Sequence, residues 1–249
     1  MRRLLPVLLV ATLGCGSNTD PFQGGTDASL ADGGAIPWFD GGAEAAGDAM
    51  SRPLSAFQDG MATYYGATGG GACSFDLSPD DLMVTAMNAL QYDDSAVCGA
   101  CVEVEGAQGT VVVRVVDLCP GCDTGQLDLS RQAFAVIDAL SRGRVAIRWR
   151  VVSCKVTGNV SIHFKDGSSR WWTALQVRNH VLPVARLEWK DGASWVEMVR
   201  RDYNYFIASP GVGPDPFTVR VTAVDGQQIE ELLPAPQSDL LVEGSGQFH

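Results

Sequence analysis

Two aspartates, Asp117 and Asp128, stand on either side of a Cys119-Pro-Gly-Cys122 turn in the stretch VVDLCPGCDTGQLDLSRQAF, residues 115–134. A pair of carboxylates can do acid and base work on a glycosidic bond, ligate a metal, or line a groove that grips a polar chain without cutting it. Other candidate groups are weaker. His163, His180 and His249 are too scattered for a metal or triad site, and Ser130, with no histidine near it, reads as a helix cap. Asp76, Asp80, Asp81, Asp93 and Asp94 read as a solvated acidic face, with calcium as the alternative. Trp171, Trp172 and Tyr203 lie in polar company, in GSSRWWTALQ and RRDYNYF, where flat exposed rings suit stacking on the C–H faces of sugars. Consecutive strand residues point to opposite faces, so Trp171 and Trp172 can share a surface only if the alternation is broken. Gly167-Ser168-Ser169 just upstream supplies the irregular backbone this needs.

The elements that must carry these residues are mainly β. Residues 56–156 hold the runs MATYYG, MVTAM, CVEVEG, TVVVRVVDL and VAIRWRVVSC, rich in Val, Ile, Thr and Tyr and parted by glycines, which predicts a small β-barrel. One helix is predicted over Ser130–Leu140, capped by Ser130 and periodic in Ala133, Phe134, Ile137 and Leu140. Residues 157–235 read as a β-sandwich with Asp-Gly hairpin signals at Asp191-Gly192 and Asp225-Gly226, and residues 236–249 as a C-terminal tail.

The opening MRRLLPVLLVATLGCGSN has the layout of an export signal, residues 1–15, and Cys15 after Leu13-Gly14 resembles the acylated cysteine of a bacterial lipoprotein. Residues 16–55, rich in Gly, Ala and Asp, read as a flexible tether. These features predict a protein anchored by lipid at the bacterial surface or outer membrane, or secreted, touching membrane only through Cys15. No later stretch is apolar and long enough to span a bilayer. Removing Cys15 from seven cysteines leaves Cys73, Cys98, Cys101, Cys119, Cys122 and Cys154, an even set in an exported chain, so three disulfides are expected. Cys98-x-x-Cys101 and Cys119-x-x-Cys122 have zinc-ribbon spacing, but zinc would strand Cys73 and Cys154. Cys119 and Cys122 can pair directly, and the wider connectivity stays open. A net charge of −11 argues against a nucleic acid or an acidic polymer as partner.

The segments ATYYG (62–66), VTAMN (84–88), LDLSRQAF (127–134), IRWRVVSCKVTGN (147–159), GSSRWWTALQVRNH (167–180) and DYN (202–204) resemble bacterial expansins in the expansin order, from about Ala56 to Pro234. The resemblance implies a six-stranded double-psi β-barrel followed by an immunoglobulin-like β-sandwich. It implies that the sandwich is a cellulose-binding module of family 63, with Trp171, Trp172 and Tyr203 as its aromatic row and Lys165 flanking it. It implies a barrel groove whose key acid is Asp128, with Asp117 and Thr63 beside it and Tyr64 and Tyr65 as neighbouring aromatics. Family 45 endoglucanases share the barrel and place their base aspartate where this chain reads Thr63-Tyr64-Tyr65-Gly66, without a carboxylate. The expectation is therefore a monomer that needs no cofactor or metal and loosens cellulose and related β-glucans without net hydrolysis. Xyloglucan and peptidoglycan are further candidate partners. The alternatives are a glycan-cleaving enzyme using Asp128 as a single acid, as a lytic transglycosylase does, and an adhesin using the cellulose module alone. Cys119 stands where several bacterial expansins have a tyrosine, and Tyr65 where some carry a smaller hydroxyl residue.

Overall fold

The computed structural model describes residues 51–249. Cys15 and most of the 16–55 tether lie outside the described residues, as does the export signal.

Six strands close the barrel: β1 (Gln58–Tyr65), β2 (Val84–Asn88), β3 (Cys101–Glu105), β4 (Thr110–Cys119), β5 (Leu127–Ser130) and β6 (Val145–Val152), in the order β1-β5-β2-β4-β3-β6. The pairs β1–β5 and β2–β4 are parallel. Alternate residues such as Val102, Val104, Val113, Val115 and Trp149 point inward and are fully buried, which is why these runs read as strands of period two. The barrel begins earlier than the sequence suggests. Pro53 bridges Val152, and Leu54 is buried with its N–H on the Val151 carbonyl at 2.8 Å. A short helix α1 (Ala89–Tyr92), which no periodicity announces, follows β2. The expected helix forms as α2 (Arg131–Ile137), with Ser130 Oγ accepting the Ala133 N–H at 3.0 Å, and a 3-10 turn continues over Leu140–Arg142.

Two sheets make the sandwich. One has the order β10-β9-β13-β14, from β9 (Val184–Asp191), β10 (Ser194–Glu197), β13 (Phe217–Ala223) and β14 (Gln228–Leu233). The other runs β11-β12-β8-β7-β15, from β7 (Ser161–Phe164), β8 (Thr173–Arg178), β11 (Val199–Arg200), β12 (Phe206–Ala208) and β15 (Leu241–Glu243). Both Asp-Gly signals sit at hairpin turns, β9 to β10 and β13 to β14. The segment expected to be a tail instead supplies β15, paired with β7, and Phe248 is 2% exposed in the core. The Glu231 carboxylate accepts the Ser245 and Gly246 N–H groups, fastening this last stretch. One strand of three residues with a single buried aromatic beyond it is too short to show a period.

The barrel and sandwich share a polar seam. Gln176 and Asn204, both buried, donate their side-chain amides to the Cys73 carbonyl at 2.8 and 3.2 Å. Tyr92 donates its hydroxyl to the Asp202 carbonyl at 2.8 Å, and Arg178 meets Asp76 at 2.7 Å.

The six cysteines pair as Cys73–Cys98, Cys101–Cys154 and Cys119–Cys122. A sulfur in a disulfide is not a thiolate ligand, so the zinc-ribbon alternative does not hold. Among the described residues no helix is long and apolar enough to cross a membrane.

Candidate functional site: an aspartate groove and an aromatic surface

The groove is built by register. Thr63 on β1 is the partner of Asp128 on β5, Asp128 is the partner of Ala86 on β2, and Ala86 is the partner of Asp117 on β4. Four neighbouring strands thus present one transverse row. A register irregularity between Thr85 and Ala86 adjusts β2 within it.

Thr63 donates its hydroxyl to Asp128 Oδ1 at 2.6 Å and accepts from the Gln126 side-chain amide at 3.3 Å. The Asp128 backbone is held separately, its carbonyl accepting the Thr85 hydroxyl at 3.0 Å. Burial pushes the Asp128 carboxyl above the usual carboxylate range; the Thr63 hydrogen bond opposes this, and the charge of Asp117 adds to it. Asp117 Oδ1 accepts the backbone N–H groups of Ala72 at 2.7 Å and Leu118 at 2.9 Å. The approach of Ala72 needs Gly71, since a Cβ there would sit 2.3 Å from the Asp117 carboxyl carbon.

Tyr65 shares this environment. Its hydroxyl is buried and without a partner, and burial with the charges of Asp117 and Asp128 raises its pKa. Tyr64 does not join it. Alternation along β1 turns Tyr64 to the other face, where it packs edge-on to Phe134 at 4.9 Å and donates to the Leu140 carbonyl at 3.2 Å. The expectation of Tyr64 as a groove aromatic is corrected to a support for α2.

An amide network that no motif announces underlies the groove. Gln91 Oε1 accepts from the Asn88 side chain at 2.7 Å and the Gly125 N–H at 2.9 Å, and Asn88 also donates to the Gln126 carbonyl at 3.3 Å. Tyr92 is a second omission: its pKa is raised by burial first and by Asp117 next. Its segment, NALQYDD, offers only an acidic flank as a signal.

The second surface is on the outer face of the five-stranded sheet. Trp172 and Tyr203 pack on Ala174, Tyr205 and Ile207, apart from the main core. Trp171 is not a strand residue. Arg170 and Trp171 form the tip of a tight turn closed by Ser169 and Trp172, whose backbones exchange hydrogen bonds of 2.8 and 3.2 Å. This turn breaks the alternation just after Gly167-Ser168-Ser169 and leaves Trp171 68% exposed, with the Arg170 guanidinium 4.2 Å over its ring. Lys165 Nζ lies 5.5 Å from the Tyr205 ring. The Asp239 carboxylate can only accept, so His163 Nε2 carries the proton and donates to it at 3.1 Å, leaving Nδ1 to accept the Tyr205 hydroxyl at 2.8 Å.

The acidic face finds no metal-ligand geometry among the described residues, and two of its members meet arginines instead: Asp76 with Arg178, and Asp81 with Arg114 at 3.8 Å.

Comparison with known proteins gives consistent matches. A double-psi β-barrel family model described as lytic transglycolase matches residues 58–149. Expansin-YoaJ of Bacillus subtilis is 41% identical over 181 residues, which are 71% of this chain and 78% of the relative. Expansin-like protein 1 of Dictyostelium discoideum is 32% identical over 203 residues, covering 75% of this chain and 70% of that one. The crystal structure of a Clavibacter michiganensis expansin mutant in complex with cellohexaose superposes with a TM-score of 0.74 at 32% identity, covering 78% of this chain and 98% of the other.

Proposed function

The chain belongs to the expansin family, and from this premise we propose that it binds cellulose through the aromatic surface of its sandwich and loosens glucan networks through the barrel groove, without net hydrolysis. The observation that carries this reading is the single row Thr63–Asp128–Ala86–Asp117. It offers one acid raised by burial, a hydroxyl where a hydrolase would need its base, and a second aspartate already committed to two backbone N–H groups. Inverting hydrolysis needs a free carboxylate across the bond to activate water. Asp128 instead accepts and donates hydrogen bonds to glucan hydroxyls, Thr63 and Asp117 fix its orientation and protonation, and Tyr65 offers the edge of a ring beside them. Trp171, Trp172 and Tyr203 stack on sugar rings, each contact contributing about 1 kcal/mol by analogy with aromatic pairs. Affinity accrues from several such subsites in a row.

The experiment is extension of a cellulose-rich strip under constant load, with soluble sugar ends assayed in the same bath, for the protein and its Asp128→Asn variant. Extension without sugar release, lost in the variant, supports the reading; sugar release that depends on Asp128 overturns it.

A second reading rests on the raised Asp128 and on the match of the barrel to lytic transglycolases. A single protonated carboxyl can protonate the glycosidic oxygen as the leaving chain departs. The carboxylate so formed can take the proton of a hydroxyl of the same sugar as that hydroxyl's oxygen bonds to the anomeric carbon, so no second carboxylate is required. An anhydro product from peptidoglycan would establish it.

Export with a lipid on Cys15 accords with three disulfides, which persist in oxidising compartments. Mass spectrometry of the mature N-terminus tests it. The charge of −11 favours neutral cellulose over acidic wall polymers, with little dependence on salt.

A further inference from the structure

A cavity of about 560 Å³ lies between the outward face of β3–β4 and the linker that enters the sandwich. It shares no lining residue with the aspartate row or the aromatic surface. Cys101 and Glu103 on β3, and Val112 and Arg114 on β4, project into it at two-residue spacing, away from the barrel core. Val156 and His180 close it from the sandwich side. The volume is that of a small-ligand pocket rather than a packing defect.

Two polar groups in its lining lack partners. Arg114 Nε is buried without a hydrogen bond, although its guanidinium lies 5.8 Å over the Phe75 ring; its one acidic neighbour, Asp81, is 3.8 Å away and 65% exposed. Nε is enclosed and out of a ligand's reach, but the Arg114 side chain is 35% exposed and, among the described residues, its terminal nitrogens meet only the distant Asp81, which leaves them available to an incoming carboxylate. His180 Nδ1 contacts the Leu182 carbonyl at 2.8 Å, so that nitrogen carries a proton. Burial lowers the His180 pKa to about 4, which keeps the ring neutral and leaves Nε2 as a bare acceptor. Gly99 makes room for that nitrogen: a Cβ there would stand 2.5 Å from it. Lys155 adds a second cation to the rim, while Glu103 is neutralised by Arg150 at 2.6 Å. Phe75, Met83, Val112 and Val156 supply the apolar walls.

We propose that this cavity is a binding site for a small ring-bearing hydroxy acid, its carboxylate on Arg114, its ring against Phe75 and the valines, and its hydroxyl donating to His180 Nε2. Two kinds of molecule carry this chemistry, a phenolic acid and a uronic acid, and the test separates them. The inference stands independently of the cellulose reading.

Isothermal titration of the protein with 4-hydroxycinnamate and with glucuronate, each against its methyl ester, is expected to show one-site binding of at least one acid and none of the esters. Arg114→Gln should weaken that binding at least tenfold. Val112→Trp, which fills the cavity from the exposed side of β4 and keeps every polar group, should abolish it. The calorimetric melting temperature should be unchanged in both variants, which shows that they fold. Which acid binds assigns the source. No binding of either acid at millimolar concentration, equal binding of acid and ester, or unchanged binding in Val112→Trp overturns the proposal.

Discussion

Asp117 and Asp128 take the same residue, Ala86, as register partner, one from each side of β2. Neighbouring strands lie about 4.8 Å apart, so the two aspartate Cα atoms are separated by roughly 10 Å with only a methyl group between them. Ala86, with the smallest chiral side chain, keeps the surface between the two acids low.

Replacing Asp128 separates function from stability. Its folded pKa is raised, so between the unfolded carboxylate value and that raised value the native state holds more protons than the unfolded one. Stability therefore falls as pH rises through this window. Asp128→Asn, which still accepts from Thr63, is expected to abolish extension yet to melt no lower than the parent at pH 7. Calorimetry beside the extension assay checks this, and a clear drop in melting temperature would count against a desolvated carboxylate.

Gly71→Ala places a methyl group into the Asp117 carboxylate. Overpacking of this kind costs about 1–3 kcal/mol and turns the acid out of its two N–H contacts. Extension should be lost while cellulose binding is retained, as measured by depletion from solution over microcrystalline cellulose.

Trp171→Ala and Trp172→Ala should differ. Each removes about 1 kcal/mol of stacking, near fivefold in Kd. Trp171 is exposed at a turn, so its loss leaves stability unchanged, whereas Trp172 covers Ala174 and Ile207 and its loss lowers the urea midpoint as well. Equal effects on stability would show that the two rings share one environment.

Acid should weaken the fold through His180. Its folded pKa of about 4 lies below the ordinary 6.5, because burial and the charges of Arg200 and Arg114 oppose protonation. Between these values the unfolded chain binds a proton that the native state refuses, so stability falls as pH is lowered from about 6.5 to 4, with a slope approaching 1.4 kcal/mol per pH unit. In urea titrations His180→Gln, which can still donate to Leu182, should remove that part of the slope.

The disulfides should contribute unequally. In the chain-entropy view, closing loops with sequence separations of 3, 25 and 53 stabilises by about 2, 3.5 and 4 kcal/mol. Cys119→Ser with Cys122→Ser should therefore cost least in chemical denaturation, while still altering the groove lip beside Asp117.

Local pattern explains what could be read in advance. The strands around Val102, Val113 and Trp149 alternate cleanly, Ser130 caps α2 as its type suggests, and both Asp-Gly pairs turn hairpins. The row of Thr63, Asp117 and Asp128 was legible only through resemblance, because register between distant strands leaves no local trace. Two disulfides escaped because several pairings satisfy the same cysteine spacings. Tyr64 stands between Thr63 and Tyr65 in sequence and so reads as their groove neighbour, although strand parity turns it to the opposite face. Gln91, Asn88 and Tyr92 escaped because a buried amide in a tertiary network looks like any surface residue when read along the chain.

The seam makes the two halves poor candidates for separate use. Gln176 and Asn204 lose a shared acceptor if the barrel is removed, and the Cys73 carbonyl loses both donors if the sandwich is removed. The same short loop carries Ala72, whose N–H orients Asp117. An excised barrel would therefore carry a slackened groove, and a sandwich borrowed as a cellulose tag would expose polar groups shaped for another surface. Chimaeras between relatives should exchange the Gly71–Asp76 loop together with Gln176 and Asn204, treating the joint rather than the domain as the heritable unit.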